Sequence, residues 1–190
     1  ECRYANGNIT TDYVYTMDAD GSVDFSATYT PEGQLPPLPC IGNTFLLNKD
    51  MTRLSWYGQG LQDSYVDRLE ATGIGRWTSS VDQEYVHYPR PQSSGNHEQT
   101  VTLSLTDAKG RGYTVTTANA TPFAFSALPY SEHQLSTVAH DCDLQTESNV
   151  FLNIDAAMMG LGNSSCGPGV LTKYSIPQKQ HSLHVMFKRK

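Results

Sequence analysis

The sequence predicts an all-β domain, built as a two-sheet sandwich of antiparallel strands with one short helix and long loops. Three observations predict it. Apolar and polar residues alternate in several separate segments, Gly, Pro and amide residues cluster between these segments, and one segment alone has the features of a helix. A length of 190 residues is typical of one domain. We therefore expect a single domain over residues 1–190.

The N-terminal alternating segments predict a β-hairpin. Tyr13, Tyr15 and Met17 alternate with polar residues, residues 18–21 provide a turn, and a second alternating run covers residues 23–29. This period of two is typical of strands with one buried face.

Further strands are predicted along the rest of the chain. Four prolines between residues 31 and 39 predict an exposed connection. Apolar runs at residues 44–47 and 150–154 predict strands that are buried on both faces. A second hairpin is predicted at residues 101–115, and the alternation at residues 183–187 predicts a final strand.

The one predicted helix begins after Pro129. Ser131 and Gln134 have the spacing of a capping box, in which the serine hydroxyl accepts a hydrogen bond from a backbone amide of the first turn. Leu135 and Val138 follow on one face.

Composition excludes some classes of partner. The net charge of −6 argues against a nucleic-acid partner, because phosphate binding requires clustered Lys and Arg, and no apolar run is long enough for a membrane span. The four cysteines, none in CxxC spacing, predict free buried thiols, with a Cys2–Cys40 bridge as the alternative in an oxidising compartment. No metal site is expected. The compartment stays open between cytoplasmic and periplasmic or secreted.

Two loop-rich segments have a structural and a functional interpretation. Trp56 and Trp77 either pack in the core, which we favour, or stack on a sugar. Asp67 and Arg68 are expected to make local polar contacts, or Arg68 and Arg76 to pair with carboxylates that fasten this segment to the sheet. Residues 88–96 predict a buried, hydrogen-bonded loop, with sugar contact through its amide side chains as the alternative.

The loop at residues 160–169 is the candidate binding site. It has four glycines and one proline, a composition typical of backbone that approaches another group closely. Asn163, Ser164 and Ser165 can hydrogen-bond sugar hydroxyls. A nucleophilic Cys166 would require a positioned His, which the sequence does not indicate.

No catalytic residue is expected in this chain. Glycoside hydrolysis requires two carboxyl groups that face each other across the scissile bond, and the acidic residues show no such pairing. Asp155, which follows a predicted buried strand, is the best isolated candidate.

An ordered series of motifs resembles the C-terminal β-sandwich, or small-chain-like, domain of the β-galactosidases of glycoside hydrolase family 2. The resemblance covers residues 13–187, almost the whole chain. The residues that carry it are Trp56-Tyr57-Gly58 with Gly60, Ser64-Tyr65, Asp67-Arg68, Tyr88, Pro91-Gln92, Gly95-Asn96, His140, Leu152-Asn153-Ile154-Asp155, Met159-Gly160-Leu161-Gly162 and Ser165-Cys166-Gly167.

The resemblance implies a large two-sheet supersandwich, similar to that of galactose mutarotases. It implies a non-catalytic domain that packs near the mouth of a separate barrel, which holds the catalytic carboxylates of a retaining β-galactosidase and a divalent cation such as magnesium. Implied partners are a galactoside or other carbohydrate, the other domains of the same enzyme and, in the full-length enzyme, further copies in a homo-oligomer. The opening strands of the family domain have no counterpart before Glu1, so we expect the chain to start partway into that domain.

The sequence departs from the family pattern at one position of the candidate loop. Some members carry a tryptophan there that stacks on the sugar or its leaving group, where this chain has Cys166 and a loop one residue shorter. Substrate binding by Asn163, Ser164, Ser165 and Cys166 would therefore rest on hydrogen bonds. The alternatives are an independent carbohydrate-binding module and, from the shared fold alone, an aldose 1-epimerase-like protein.

Overall fold

A computed structural model describes residues 2–3, 8–163 and 166–190, with side chains from residue 8 onward. These residues include twelve strands and two short α-helices. The helices are α1 (Val81–Glu84) and α2 (Glu132–Thr137). The strands are β1 (Cys2–Arg3), β2 (Ile9–Met17), β3 (Val23–Pro31), β4 (Cys40–Asn48), β5 (Arg53–Gly60), β6 (Gly73–Ser80), β7 (His97–Thr100), β8 (Thr102–Thr106), β9 (Gly112–Thr117), β10 (Phe123–Leu128), β11 (Asn149–Met158) and β12 (His181–Arg189).

The strands form two antiparallel sheets, which confirms the predicted all-β sandwich. In the described residues, the larger sheet has eight strands in the order β1-β2-β3-β12-β9-β8-β5-β6, and the smaller has four in the order β4-β11-β10-β7. Both predicted hairpins are present, as β2–β3 and β8–β9. The predicted final strand is β12, which pairs with β3 and β9 and so joins the two hairpins into one sheet.

The apolar core lies between the inner faces of the two sheets. Phe125 of the small sheet and Trp56 of the large sheet meet edge to face, with ring centroids 5.7 Å apart. Phe25 and Phe45 make a similar contact at 5.5 Å. Alternate residues of β3, β8, β11 and β12 complete the core, as their period of two predicts.

The prediction that residues 44–47 and 150–154 are buried on both faces is wrong. Val150, Leu152 and Ile154 are buried on the inner face, but Leu46 of the neighbouring strand is 62% exposed on the outer face. An antiparallel sheet in a sandwich has only one face in the core, so continuous apolar sequence does not establish burial on both faces. Tyr15 and Met17 of β2 are also exposed, although the Tyr15 ring contacts Phe25 at 4.8 Å.

The predicted helix is α2, and its cap forms as expected. The Ser131 side chain accepts a hydrogen bond from the Gln134 backbone amide at 3.2 Å, and Leu135 is buried. Helix α1 is an addition to the one predicted helix. It is a single four-residue turn after β6, too short to produce a helical period in the sequence.

The cysteine prediction is half right. Cys40, Cys142 and Cys166 are free, as predicted, but all three are exposed rather than buried, because they lie at the start of a strand, in a short turn and in a loop. The side chain of Cys2 lies outside the described residues.

The segment at residues 88–96 is a structural loop, but the prediction that it is buried holds only in part, since Pro91 and residues 94–96 are buried whereas Pro89, Arg90, Gln92 and Ser93 are exposed. Ser94 and Asn96 are buried, and Asn96 Nδ2 donates to the Ser64 carbonyl at 2.7 Å. Gly95 has φ +69°, and a Cβ there would lie 2.4 Å from the Glu84 carbonyl oxygen. This position therefore requires glycine for both its conformation and its close contact.

Gly95→Ala should destabilise the protein more than Gly110→Ala. Gly110 also has a positive φ, +78°, but open space surrounds it. We expect Gly110→Ala to cost ~1–2 kcal/mol for the left-handed backbone alone. Gly95→Ala should cost a further ~1–3 kcal/mol for the clash with Glu84. Urea unfolding of both variants measures the difference, and equal losses would contradict the proposed contact.

Candidate functional site

The loop at residues 160–169 is fastened to the segment between β5 and β6. The Gly162 amide donates to Asp67 Oδ2 at 2.8 Å, and the Arg68 guanidinium donates to the Gly162 carbonyl at 3.3 Å. Gly160 lies against the same carboxyl group, since a Cβ there would be 2.7 Å from the Asp67 carboxyl carbon. The expected local contacts of Asp67 and Arg68 are therefore long-range contacts to loop backbone, and Arg68 pairs with a carbonyl rather than a carboxylate.

Backbone hydrogen bonds join the described residues on the two sides of the loop tip. The Asn163 amide donates to the Pro168 carbonyl at 3.1 Å, and the Cys166 amide donates to the Asn163 carbonyl at 3.1 Å. Asn163 and Cys166 are both exposed. Ser164 and Ser165, the other predicted site residues, lie outside the described residues. Substrate binding by these four residues stays a prediction.

A cavity of about 350 Å³ lies beside the base of this loop, on the outer face of the small sheet. The loop contributes Gly160 and Leu161 to its wall, whereas Asn163 and Cys166 do not line it. Among the described residues, the lining is Pro39, Cys40, Gly42, Asn43, Thr44, Tyr65, Ser93, Ser94, Asn96, Ser126, Glu132, Asn153, Asp155, Met158, Met159, Gly160 and Leu161.

Strand pairing places a carboxyl group in this cavity. Asp155 of β11 pairs with Gly42 of β4, and a Cβ on Gly42 would lie 2.1 Å from Asp155 Oδ1. Glycine at residue 42 thus leaves room for the carboxyl group to lie over the neighbouring strand. Asp155 is 4% exposed, and no hydrogen bond to its side chain is present among the described residues.

Two carboxyl groups in this region have raised pKa values. Burial raises the pKa of Asp155 from 3.8 to about 7, and the charges of Glu98 and Glu132 add to the shift. Burial also raises the pKa of Glu98 from 4.5 to about 7, partly offset by the hydrogen bond from Asn96. Glu98 does not line the cavity, so these two groups do not face each other across a space that could hold a glycosidic bond.

The sequence identified part of this cavity. Asp155 is recognisable as a polar residue after a buried strand, and Asn96 as a polar residue at the end of the 88–96 loop. Glu132 is recognisable only as a residue of the capped first turn of a helix. The sequence gives no signal for Glu98, because Asn96 precedes β7 and the strand sequence His97-Glu98-Gln99-Thr100 shows no alternation of apolar and polar residues. Sequence position alone does not show that β7, β11 and α2 approach one another.

The two tryptophans are structural. Trp56 is buried, and its Nε1 donates to the Gln59 carbonyl at 2.8 Å. Trp77, its cross-strand partner, is half-buried, donates to the Gly58 carbonyl at 3.1 Å and packs on the core. The Trp56 ring is therefore closed to a sugar and the Trp77 ring is partly covered, which fits the favoured interpretation that both tryptophans pack in the core.

The closest histidine–carboxylate contact among the described residues is also inside the fold. His97 Nε2 and Glu84 Oε2 are 2.5 Å apart, and both side chains are buried. The His97 ring packs on Trp56 with centroids 4.3 Å apart. An epimerase requires such a pair in an accessible cleft, so this pair does not support that alternative. The more exposed pairs, His87–Asp141 and His184–Asp24, are each 2.9 Å apart but do not line the cavity beside the loop.

The described residues contain neither a cluster of metal ligands nor a helix long enough to cross a membrane. No group of three or more His, Cys, Asp or Glu side chains is placed to hold a metal ion. The longest helix has six residues, and none meets the length that crossing a bilayer requires.

Comparison with known proteins identifies relatives of the whole chain. The family model described as "Beta galactosidase small chain" matches residues 1–187. The chain is 35% identical over 179 residues to the "Beta-galactosidase BgaC" of Bifidobacterium adolescentis, an alignment that covers 92% of this chain and 17% of that protein. It is 34% identical over 148 residues to a β-galactosidase of Streptococcus thermophilus, covering 78% of this chain and 14% of the relative. It is 32% identical over 163 residues to a β-galactosidase of Kluyveromyces lactis, an alignment that covers 85% of this chain and 16% of that protein. The chain thus spans only about a sixth of the length of these relatives.

The raised pKa values of Asp155 and Glu98 predict that the free energy of unfolding depends on pH. A carboxyl group whose pKa is higher when folded binds more protons in the folded state, so its contribution to the free energy of unfolding falls as the pH rises from about 4.5 to about 7. Asp155→Asn removes one such group. We expect the variant to gain stability relative to the wild type across this range, by at most ~1.4 kcal/mol per pH unit.

Denaturant unfolding at several pH values measures this effect. Glu70→Gln, at an exposed residue outside the cavity, is the matched control and should keep the wild-type pH dependence. A constant difference between Asp155→Asn and the wild type at every pH would contradict the assignment.

Proposed function

The chain belongs to the beta-galactosidase small-chain family, and on that premise we propose that it is a non-catalytic C-terminal domain of a β-galactosidase. It supports a separate catalytic barrel and contributes a loop to the rim of the sugar pocket. The larger enzyme hydrolyses terminal β-D-galactosides with retention of configuration, by means of two carboxyl groups in that barrel.

One observation carries the proposal. The alignments cover most of this chain but only 14–17% of each β-galactosidase that it resembles. The divalent cation, such as magnesium, that the family resemblance implies is assigned to the barrel, since the described residues offer no set of ligands for it.

The proposed part of this chain in sugar binding is the loop at residues 160–169. Asp67 and Arg68 hold its backbone at Gly162, which leaves the exposed tip free to face a ligand. Asn163, Ser164, Ser165 and Cys166 are the proposed contacts. Hydrogen bonds from Asn163 and the serines would orient sugar hydroxyls, and Cys166 takes the place of a stacking ring without supplying an aromatic face.

The isolated chain should not hydrolyse a chromogenic β-galactoside such as p-nitrophenyl β-D-galactoside, because the proposal assigns both catalytic carboxyl groups to the separate barrel. Release of nitrophenol measures this, with the B. adolescentis enzyme as positive control. Turnover by the purified wild-type chain that disappears in Asp155→Asn would overturn the non-catalytic assignment.

The role of the loop can be tested in a chimaera in which this chain replaces the homologous segment of the B. adolescentis β-galactosidase. Loss of one neutral hydrogen bond should make Asn163→Ala raise KM about threefold to tenfold, with little change in stability. Thr146→Ala, at an exposed residue away from the loop, is the matched control. An unchanged KM for Asn163→Ala would remove Asn163 from the pocket rim.

A further inference from the structure

The cavity on the outer face of the small sheet has an excess of negative charge. Asp155 and Glu132 line it, and Glu98 lies close enough for its charge to act on Asp155. In the part of the chain that the structure describes, no Lys, Arg or His forms an ion pair with any of these three carboxyl groups. A buried carboxylate without a cation is costly, so this arrangement favours a positively charged occupant.

Hydrogen-bond acceptors in the cavity wall lack donors. The Asp155 carboxyl accepts no hydrogen bond from the described residues. Independently, Asn96 is 2% exposed and lines the cavity, and its Oδ1 is buried without a partner, while its Nδ2 donates to Ser64 and Glu98. The cavity therefore presents the Asp155 carboxyl group as an acceptor for a ligand with several N–H donors, and Asn96 Oδ1, buried within the wall, also lacks a donor.

The rest of the wall fits an aliphatic chain. Met158, Met159 and Leu161 line the side next to the loop, and thioether and leucine side chains pack readily on methylene groups. A long basic side chain combines such a methylene stem with a cationic head. Metal ions fit less well, because the described residues offer no group of three ligands. A sugar would find no open aromatic face, since the Tyr65 ring in the wall is buried.

We propose that this cavity receives an arginine or lysine side chain from another domain of the same β-galactosidase. The head of that side chain would donate to Asp155, and its stem would pack on Met158, Met159 and Leu161. This inference rests on the proposed function, because it requires the chain to be one domain of a larger enzyme. It assigns the outer face of the small sheet as a docking face.

Butylguanidinium is a probe for this site, and butylurea is its uncharged counterpart of similar shape. Titration of the ¹⁵N-labelled chain, followed by amide chemical shifts, should show saturable butylguanidinium binding at Gly42, Asp155 and Leu161, with no comparable binding of butylurea. Asp155→Asn should weaken the binding by about tenfold or more, because it removes a charge-assisted hydrogen bond. Glu70→Gln should leave it unchanged.

A second variant tests the site without altering the buried carboxyl group. Leu161→Lys places a tethered ammonium at the exposed rim of the cavity and should block butylguanidinium binding. Leu171→Lys, at an exposed residue that does not line the cavity, should not. Comparison of these two variants distinguishes an ammonium group that occupies the cavity from a general effect of added positive charge on binding.

Three results would overturn the inference. They are equal binding of butylurea and butylguanidinium, binding that Asp155→Asn does not weaken, and the same shifts produced by methyl β-D-galactoside instead of the cation, which would assign the cavity to sugar. None of these alters the test of the proposed function, because turnover by the isolated chain is measured independently of the cavity.

Discussion

The contact among Trp56, His97 and Phe125 is the constraint on which the two-sheet packing depends. The three rings lie within 5.7 Å of one another in pairs and join the large sheet to the short edge strand β7 and its neighbour β10. His97 takes a fully buried position in this cluster, so its imidazole requires a polar partner, which Glu84 provides. Removal of either member would leave the other buried and unpaired, a costly state. Helix α1, which carries Glu84, is thereby tied to the core.

The inner face of the small sheet packs in this core. A binding surface of this sheet can therefore form only on its outer face and on the loops that connect the strands. The Asp155–Gly42 pairing, the base of the 160–169 loop and the first turn of α2 surround one cavity. The loop is held through Gly162 by Asp67 and Arg68. The sandwich thus has a loop held in place by Asp67 and a negatively charged cavity beside that loop. Both features are consistent with the proposed supporting domain, which would pack against a separate catalytic domain.

Local chemistry made much of the fold predictable from the sequence. The period-two hairpins, the Ser131 cap and the turn at Gly95 follow from side-chain alternation, hydrogen-bonding capacity and glycine geometry. The candidate site was less predictable, because it depends on contacts between residues distant in sequence. Gly162 and Asp67 are 95 residues apart, and the pairing that places Asp155 over Gly42 joins strands separated by half the chain. Exposure on the outer face of β4 was mispredicted for a related reason, since apolar sequence does not reveal which face another element covers.

Amide hydrogen–deuterium exchange tests the supporting role most directly. The exchange of this chain alone is compared with its exchange within the chimaeric B. adolescentis β-galactosidase. If the chain is a supporting domain that docks through the outer face of its small sheet, amides of residues 40–44 and 153–161 should exchange more slowly in the chimaera, while those of the core strand β8 stay unchanged. Equal exchange of residues 40–44 and 153–161 in the two proteins would contradict the account.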